Sequence, residues 1–98
     1  ARFERRGNDL YTELPLDLYT TLLGGEASVS TLGGRSVMLH IPAGTQNGQT
    51  FRLRGQGMPD LNHPQEHGDL YAKVTVKLPE RLTEQEQRLF AELKKLRQ

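Results

Sequence analysis

The sequence contains no cysteine and no tryptophan, and aromatic residues make up only 6% of its 98 residues. Without cysteine, the chain can form no disulfide, no thiolate zinc site and no cysteine nucleophile. It has no apolar run near the roughly 18 residues that cross a bilayer, and its opening ARFERR lacks the apolar core of a signal peptide. We therefore expect no membrane partner and a cytoplasmic location. Because the chain begins with Ala1 rather than Met, we also expect it to be a piece of a longer protein.

The residues that are present fit one small domain. Hydrophobic residues make up 35% of the chain, charged residues 26%, and the net charge is +1. A chain of this length can bury enough apolar surface to fold alone, although few aromatic side chains leave little surplus stability. We predict a single domain over residues 1–98, with a β-sandwich over 8–79 and a C-terminal helix over 83–97.

The first half of the sequence predicts strands around one short helix. Leu10, Leu14 and Leu16 share one parity, which is typical of a half-buried strand, and Pro15 favours an edge or a strand end. The stretch LDLYTTLLGG, residues 16–25, then predicts about one helical turn ended by glycine.

Glycine and proline mark the turns that follow. EASVSTL and RSVMLHI flank Gly33-Gly34, a two-residue connection typical of a hairpin. Residues 41–59 hold four of the ten glycines and two of the five prolines, and these surround the short segment TFRLRG. We predict a strand there with Phe51 and Leu53 facing the core and the intervening arginines facing solvent.

The second half predicts one long strand and a terminal helix. Every second side chain of one stretch is apolar, namely Leu70, Ala72, Val74, Val76 and Leu78. Thr83 precedes Glu86 by three residues, which is the spacing of a capping box at a helix start. The predicted fold class is therefore mainly β: a small β-sandwich with one short internal helix and a C-terminal amphipathic helix.

The sequence offers little catalytic chemistry. The string HPQEH, residues 63–67, matches a zinc-peptidase signature, but that signature works on a helix, and Pro59, Pro64 and Gly68 predict a polar loop here. There is no G-x-S-x-G nucleophile elbow and no complete dinucleotide-binding glycine motif. We predict that the chain is not an enzyme and binds no metal or other cofactor.

Nucleic acid is the competing binding partner. Eight basic residues could supply scattered positive charge: Arg2, Arg5, Arg6, Arg35, Arg52, Arg54, Lys73 and Lys77. However, twelve acidic residues nearly balance thirteen basic ones, and alternate basic residues on a strand usually mark a solvated face. A nucleic-acid-binding module stays as the alternative function.

Four strings, in this order, resemble the C-terminal, substrate-binding region of DnaJ-type co-chaperones: FERRGNDLY, LGGEASVSTLGG, IPAGTQNGQTFRLRGQGMP and HGDLYAKVTVKLP. The family's region is a pair of similar β domains, and a sandwich that ends in a helix looks like the second of them. The resemblance implies a co-chaperone that binds unfolded polypeptides, works with the DnaK chaperone and forms a V-shaped homodimer through its C-terminus. The J domain's His-Pro-Asp signature is absent, because His63-Pro64 is followed by Gln65.

The resemblance also implies two sets of site residues. The family's client pocket maps by position onto Thr12, Leu14, Ala27, Val29 and Thr31. The candidate dimer contacts are Leu89, Phe90, Leu93 and Leu96 on the terminal helix. Two other interpretations stay open: Leu14 and Val29 are ordinary core residues, and the helix only docks onto its own sandwich. A purely structural dimer arm, with no client binding, is a further alternative.

Overall fold

The computed structural model describes residues 3–98, and within them six strands and two helices follow one another along the chain. Their order is β1 (Glu4–Arg6), β2 (Asp9–Asp17), α1 (Leu18–Leu23), β3 (Gly25–Ser30), β4 (Ser36–Ile41), β5 (Thr50–Leu53), β6 (Leu70–Lys77) and α2 (Glu84–Leu96). The predicted fold class, mainly β with a short internal helix and a C-terminal helix, is confirmed.

The larger sheet has four strands in the order β1-β2-β6-β5. Its centre is the parallel pair β2 and β6, whose register runs from Leu10 opposite Leu70 to Asp17 opposite Lys77. The short β1 pairs with only the first three residues of β2. Pro15 therefore lies where β2 has β6 on one side and no described strand on the other, so its missing N–H costs little.

The smaller sheet is the antiparallel hairpin of β3 and β4, and its turn differs from the prediction. The N–H of Thr31 donates to the carbonyl oxygen of Arg35 at 2.8 Å, which leaves three residues, Leu32–Gly34, as the loop. Gly34 has a φ of +77°, the left-handed conformation that three-residue hairpin loops need at their end. The predicted two-residue Gly-Gly connection is therefore wrong.

The core contains side chains from both sheets. Nine apolar residues are buried together: Leu10, Leu14, Leu16, Val29, Ile41, Leu53, Leu70, Ala72 and Val74. Their positions follow the alternation seen in the sequence, because each strand turns every second side chain inward. Leu78 is the exception, since β6 ends at Lys77 and the Leu78 side chain is 69% exposed. Leu78 therefore continues the apolar alternation of the sequence but does not share the buried face of Leu70 and Val74.

Both helices have well-defined ends. The Asp17 carboxylate accepts from the N–H of Thr20 at 2.7 Å, and this hydrogen bond lowers the pKa of Asp17. At α2, Thr83 and Glu86 form the predicted capping box, with Arg97 as the C-cap, so the helix lies within the expected range 83–97. No residue of α2 is buried.

Candidate binding surfaces

The predicted client pocket includes two sizeable apolar side chains, Leu14 in β2 and Val29 in β3. Leu14 is 5% exposed and Val29 is 3% exposed, and both belong to the single core cluster. Core side chains contact other apolar side chains of the same molecule and leave little area for a ligand. In this conformation both residues stabilise the fold, and their role as client contacts stays a prediction.

The other three pocket candidates have different surroundings. Thr12 is half-buried and lies opposite Ala72 in the β2–β6 register. Ala27 is half-buried and packs against the core. Thr31 is buried, and its hydroxyl donates to the carbonyl oxygen of Arg35 at 3.0 Å, which closes the β3–β4 hairpin. The structure thus brings Leu14, Ala27 and Val29 together at the core and places Thr31 at the hairpin turn.

The candidate dimer contacts are mostly exposed. Leu89 is 53%, Leu93 is 54% and Leu96 is 81% exposed along α2. Phe90 is half-buried, and its ring lies 6.5 Å from the ring of Tyr19 between centroids, which joins α2 to α1. An amphipathic helix normally buries its apolar face against the molecule that carries it. Here three leucines of that face, which we name the α2 stripe, are left uncovered by the rest of the described chain.

A second surface with exposed apolar side chains lies beside α1, and the sequence alone does not predict it. A depression of about 380 Å³, here named the α1 groove, is lined by Leu18, Thr21, Leu22, Thr45, Gln46, Asn47, Val76 and Leu78. None of these lining residues carries a charge. Two sequence signals indicate it: adjacent Leu22 and Leu23 cannot both point inward from one helical turn, and Leu78 stands directly before Pro79, which cannot continue a central strand.

The glycine-rich stretch is explained by a close crossing of three chain segments. A Cβ atom on Gly57 would lie 2.5 Å from the carbonyl oxygen of Asn8, and one on Gly68 would overlap the Asn8 carbonyl group. Around this crossing the N–H of Met58 donates to the Asn8 carbonyl oxygen at 2.8 Å, and Gly68 donates to Met58 at 2.9 Å. Both glycines are needed because their missing side chains let the backbones meet.

The carboxylate of Asp69 stabilises the same crossing through hydrogen bonds and an ion pair. Its carboxylate accepts from the N–H of Gly55 at 3.0 Å and from the Arg52 guanidinium at 2.7 Å. These two hydrogen bonds, with the Gly55 bond as the larger contribution, hold the pKa of Asp69 below its ordinary value. The segments RGQGMP, residues 54–59, and HGDL, residues 67–70, are therefore held together at one crossing of the chain.

The sequence model of the family described as DnaJ C terminal domain matches residues 1–79 of the chain. The chain belongs to the DnaJ C-terminal domain family. Its similarity to curated relatives extends further, over 94 residues that make up 96% of the chain. The match includes the terminal helix region, which lies beyond residue 79.

The relatives are bacterial proteins named Chaperone protein DnaJ. The protein from Bartonella quintana (strain Toulouse) is 46% identical to this chain, and so is that from Chelativorans sp. (strain BNC1). The protein from Brucella abortus (strain S19) is 43% identical. In each case the chain covers 96% of its own length and 25% of the relative. This DnaJ C-terminal domain thus spans a quarter of the relatives it matches.

The outer face of the larger sheet in this DnaJ C-terminal domain carries aromatic and charged side chains. Tyr11 and Tyr71 lie opposite each other and stack, with 4.9 Å between ring centroids. The Arg6 guanidinium lies 4.7 Å from the centroid of the Tyr11 ring. The stacked rings belong to the neighbouring strands β2 and β6, so this contact stabilises the sheet. The Arg6 guanidinium adds a cation–π contact to the Tyr11 ring.

The HPQEH string of the DnaJ C-terminal domain lies in an irregular loop, as the sequence predicts. Asp60 organises the loop: its carboxylate accepts from the N–H groups of Asn62 and His63 and from the side chain of Asn8. Within residues 3–98 no three acidic, histidine or cysteine side chains come together as a metal-binding group. No helix in the same range is long and apolar enough to cross a membrane.

Proposed function

We propose that this DnaJ C-terminal domain belongs to a co-chaperone that holds unfolded polypeptides and presents them to a DnaK-type chaperone in protein folding. Its own part in that protein is to join two protomers into a homodimer, and this role involves no catalysis. Family membership and the chaperone relatives support the co-chaperone role. The observation that carries the dimer role is the uncovered α2 stripe of Leu89, Leu93 and Leu96.

The energetics of the α2 stripe support a weak dimer. Burying a fully exposed leucine contributes about 2 kcal/mol. With exposures of 53%, 54% and 81%, complete burial of Leu89, Leu93 and Leu96 contributes about 4 kcal/mol per protomer. Association of two proteins costs roughly 4–15 kcal/mol in lost freedom of motion. The stripe alone therefore supports an association that dissociates on dilution.

The client-holding part of the proposal rests on the family rather than on an open pocket. Leu14 and Val29 are packed in the core, so replacing both with serine would destabilise the fold. A loss of client binding in that variant would not show that the two side chains contact the client.

The charge distribution gives little support to the nucleic-acid alternative. Glu13 lies opposite Lys73 in the β2–β6 register, and Arg52 is ion-paired with Asp69 at 2.7 Å, so these cations have acidic neighbours.

Sedimentation velocity over a dilution series tests the dimer role. We expect Leu93→Ser to weaken self-association at least tenfold, because it removes apolar area from the centre of the stripe. Leu61→Ser is the matched control, since Leu61 is 91% exposed in the 58–68 loop. Circular dichroism checks that both variants fold. Equal association of the two variants would show that the α2 stripe is not the interface.

Light scattering of a chemically denatured model client tests the holding role, and salt separates it from nucleic-acid binding. Capture through apolar contacts should persist when salt rises from about 50 to about 200 mM, whereas phosphate binding weakens steeply over that range. A parallel fluorescence anisotropy titration with labelled single-stranded DNA measures the alternative. If the domain binds DNA in a steeply salt-dependent way and does not suppress aggregation of the client, the co-chaperone role of this domain is contradicted. If the chain dimerises but neither captures the client nor binds DNA, the domain is a purely structural dimer arm.

A further inference from the structure

We propose that the pair Asn47-Gly48 is a deamidation site that the folded domain protects, and that opening of the 42–49 loop exposes it to reaction. An aspartyl or isoaspartyl residue at position 47 then records that the loop has opened. The reaction needs only water and a hydroxide base from the solvent. The site is separate from the client and dimer sites predicted above, and the inference does not depend on the proposed chaperone role.

The chemistry favours an asparagine that is followed by glycine. The backbone nitrogen of Gly48 attacks the side-chain carbonyl carbon Cγ of Asn47, so that a bond from this nitrogen to Cγ forms and the bond from Cγ to Nδ2 breaks. The side-chain nitrogen leaves as ammonia, which carries away the proton of the Gly48 N–H. Water then opens the five-membered succinimide at one of its two carbonyl groups and gives aspartate or isoaspartate. Glycine permits the attack because no Cβ crowds the reacting nitrogen.

Both reacting groups are held on β6 in the folded domain. The side-chain oxygen of Asn47 accepts from the N–H of Val76 at 2.9 Å. The N–H of Gly48 donates to the carbonyl oxygen of Val74 at 2.8 Å. Ring closure removes the proton of Gly48, so the reaction costs the hydrogen bond to Val74 and leaves a backbone carbonyl without its partner. The fold therefore protects the pair, although both residues are exposed to solvent.

Gly48 lies in a β-bulge between the loop and β5. The carbonyl oxygen of Val74 accepts from Gly48, and the N–H of Val74 donates to the carbonyl oxygen of Gln49 at 2.8 Å. Two residues thus face one residue of β6, and Gly48 has a φ of +89°, the left-handed conformation typical of the first residue in such a bulge. Exposed hydrogen bonds at the end of a strand open more readily than those of the core. Local opening of the bulge therefore frees the pair without unfolding of the core.

The two products have different effects on the loop. Aspartate keeps the backbone length of asparagine and a side-chain oxygen that can accept from the N–H of Val76. Isoaspartate carries the chain through its Cβ, which adds one methylene to the backbone directly before Gly48. The longer backbone no longer fits the two hydrogen bonds with Val74, so the isoaspartyl form keeps the bulge open.

Ageing of the 98-residue chain in mildly alkaline buffer, with and without denaturing urea, tests the protection. Trypsin places the three asparagines, Asn8, Asn47 and Asn62, on different peptides, and mass spectrometry measures the gain of about 1 Da that deamidation causes. In urea, Asn47 should react roughly tenfold or more faster than the other two, which precede aspartate and histidine. In native buffer its reaction should be roughly tenfold or more slower than in urea. A synthetic peptide of residues 43–52 shows whether urea itself changes the rate.

Two matched variants test whether the opening is local. The Thr45 hydroxyl donates to the carbonyl oxygen of Pro42 at 2.6 Å within the loop, and the Thr31 hydroxyl donates to that of Arg35 at 3.0 Å in the β3–β4 hairpin. Both threonines are buried. Thr45→Val should speed the native reaction of Asn47 roughly two- to tenfold, the shift in an opening equilibrium that follows the loss of one hydrogen bond. Thr31→Val should leave the native rate unchanged, and neither variant should change the rate in urea.

The outcomes decide each part of the proposal, once circular dichroism shows that both variants fold. Equal rates in native buffer and in urea would mean that the fold does not protect the site. If Thr45→Val does not speed the reaction, or Thr31→Val speeds it equally, local opening of the loop is not the controlling step. If Asn8 or Asn62 reacts as fast as Asn47 in urea, the site is not selective. Any one of these results overturns the proposal.

Discussion

Replacing Gly68 with alanine should destabilise the domain strongly, although it adds only one methyl group. That group would overlap the Asn8 carbonyl and lie 2.8 Å from a carboxylate oxygen of Asp9. These neighbours are a backbone segment and a side chain that already accepts a hydrogen bond from the N–H of Asp69. The chain can therefore relieve the overlap only by moving whole segments apart.

The expected cost follows from what that movement breaks. Overpacking a filled site costs roughly 1–3 kcal/mol. Separation also weakens the hydrogen bonds from Gly68 to Met58 and from Met58 to Asn8, which contribute about 0.5–1.5 kcal/mol each. We expect a loss of about 3 kcal/mol or more in the free energy of unfolding, and a fall in Tm of at least about 12 °C.

Urea unfolding followed by circular dichroism measures this loss. Gly33→Ala is the matched control, because a Cβ on Gly33 meets no atom within 4 Å. We expect the control to change the free energy of unfolding by no more than about 0.5 kcal/mol. If Gly68→Ala is as stable as Gly33→Ala, the close crossing of the three segments is not present in solution.

Three other substitutions test separate parts of the structure. Thr83→Ala removes half of the capping box and should cost about 1 kcal/mol of α2 stability, measured as lost helical signal at about 222 nm. Because its hydrogen bonds lower the pKa of Asp69, this carboxyl stabilises the fold above its unfolded pKa. That contribution is lost as the pH falls through the lower folded value, so Asp69→Asn should flatten acid unfolding profiles below about pH 4. Leu14→Ala should cost about 2–5 kcal/mol in urea unfolding, and a loss below about 1 kcal/mol would show that Leu14 is not a core residue.

Local patterns predict much of this fold, because the physics behind them is local. The parity of Leu10, Leu14 and Leu16 places them in the core, and the Thr83–Glu86 spacing fixes the start of α2. Gly24 ends α1 with a φ of +85°, as the glycine pair after that helix predicts.

Features that depend on distant partners are not visible in the sequence. The parallel pairing of β2 with β6 joins segments about 60 residues apart, and alternation within each strand does not select its neighbour. The hairpin loop length depends on the hydrogen bond between Thr31 and Arg35, which no local pattern indicates. The need for glycine at position 68 comes from Asn8 on another segment.

The candidate sites show the same limit. Inward parity is shared by core residues and pocket residues, so Leu14 and Val29 could not be assigned to one class from their spacing. Helical periodicity identifies the apolar face of α2 but does not show whether the molecule covers it. The α1 groove escaped prediction because it joins α1, the 42–49 loop and the end of β6.

The parallel pairing of β2 with β6 also has a consequence for biosynthesis. The ribosome releases Leu10, Leu14 and Leu16 well before Leu70, Ala72 and Val74, which pack with them in the core. At about 5–20 residues per second, the interval is roughly 3–12 s. During that time the nascent strand β2 has no β6 to pair with, and its leucines remain open to solvent. A domain of the chaperone family thus passes through synthesis as an unfolded polypeptide with exposed apolar side chains, the state that chaperones protect.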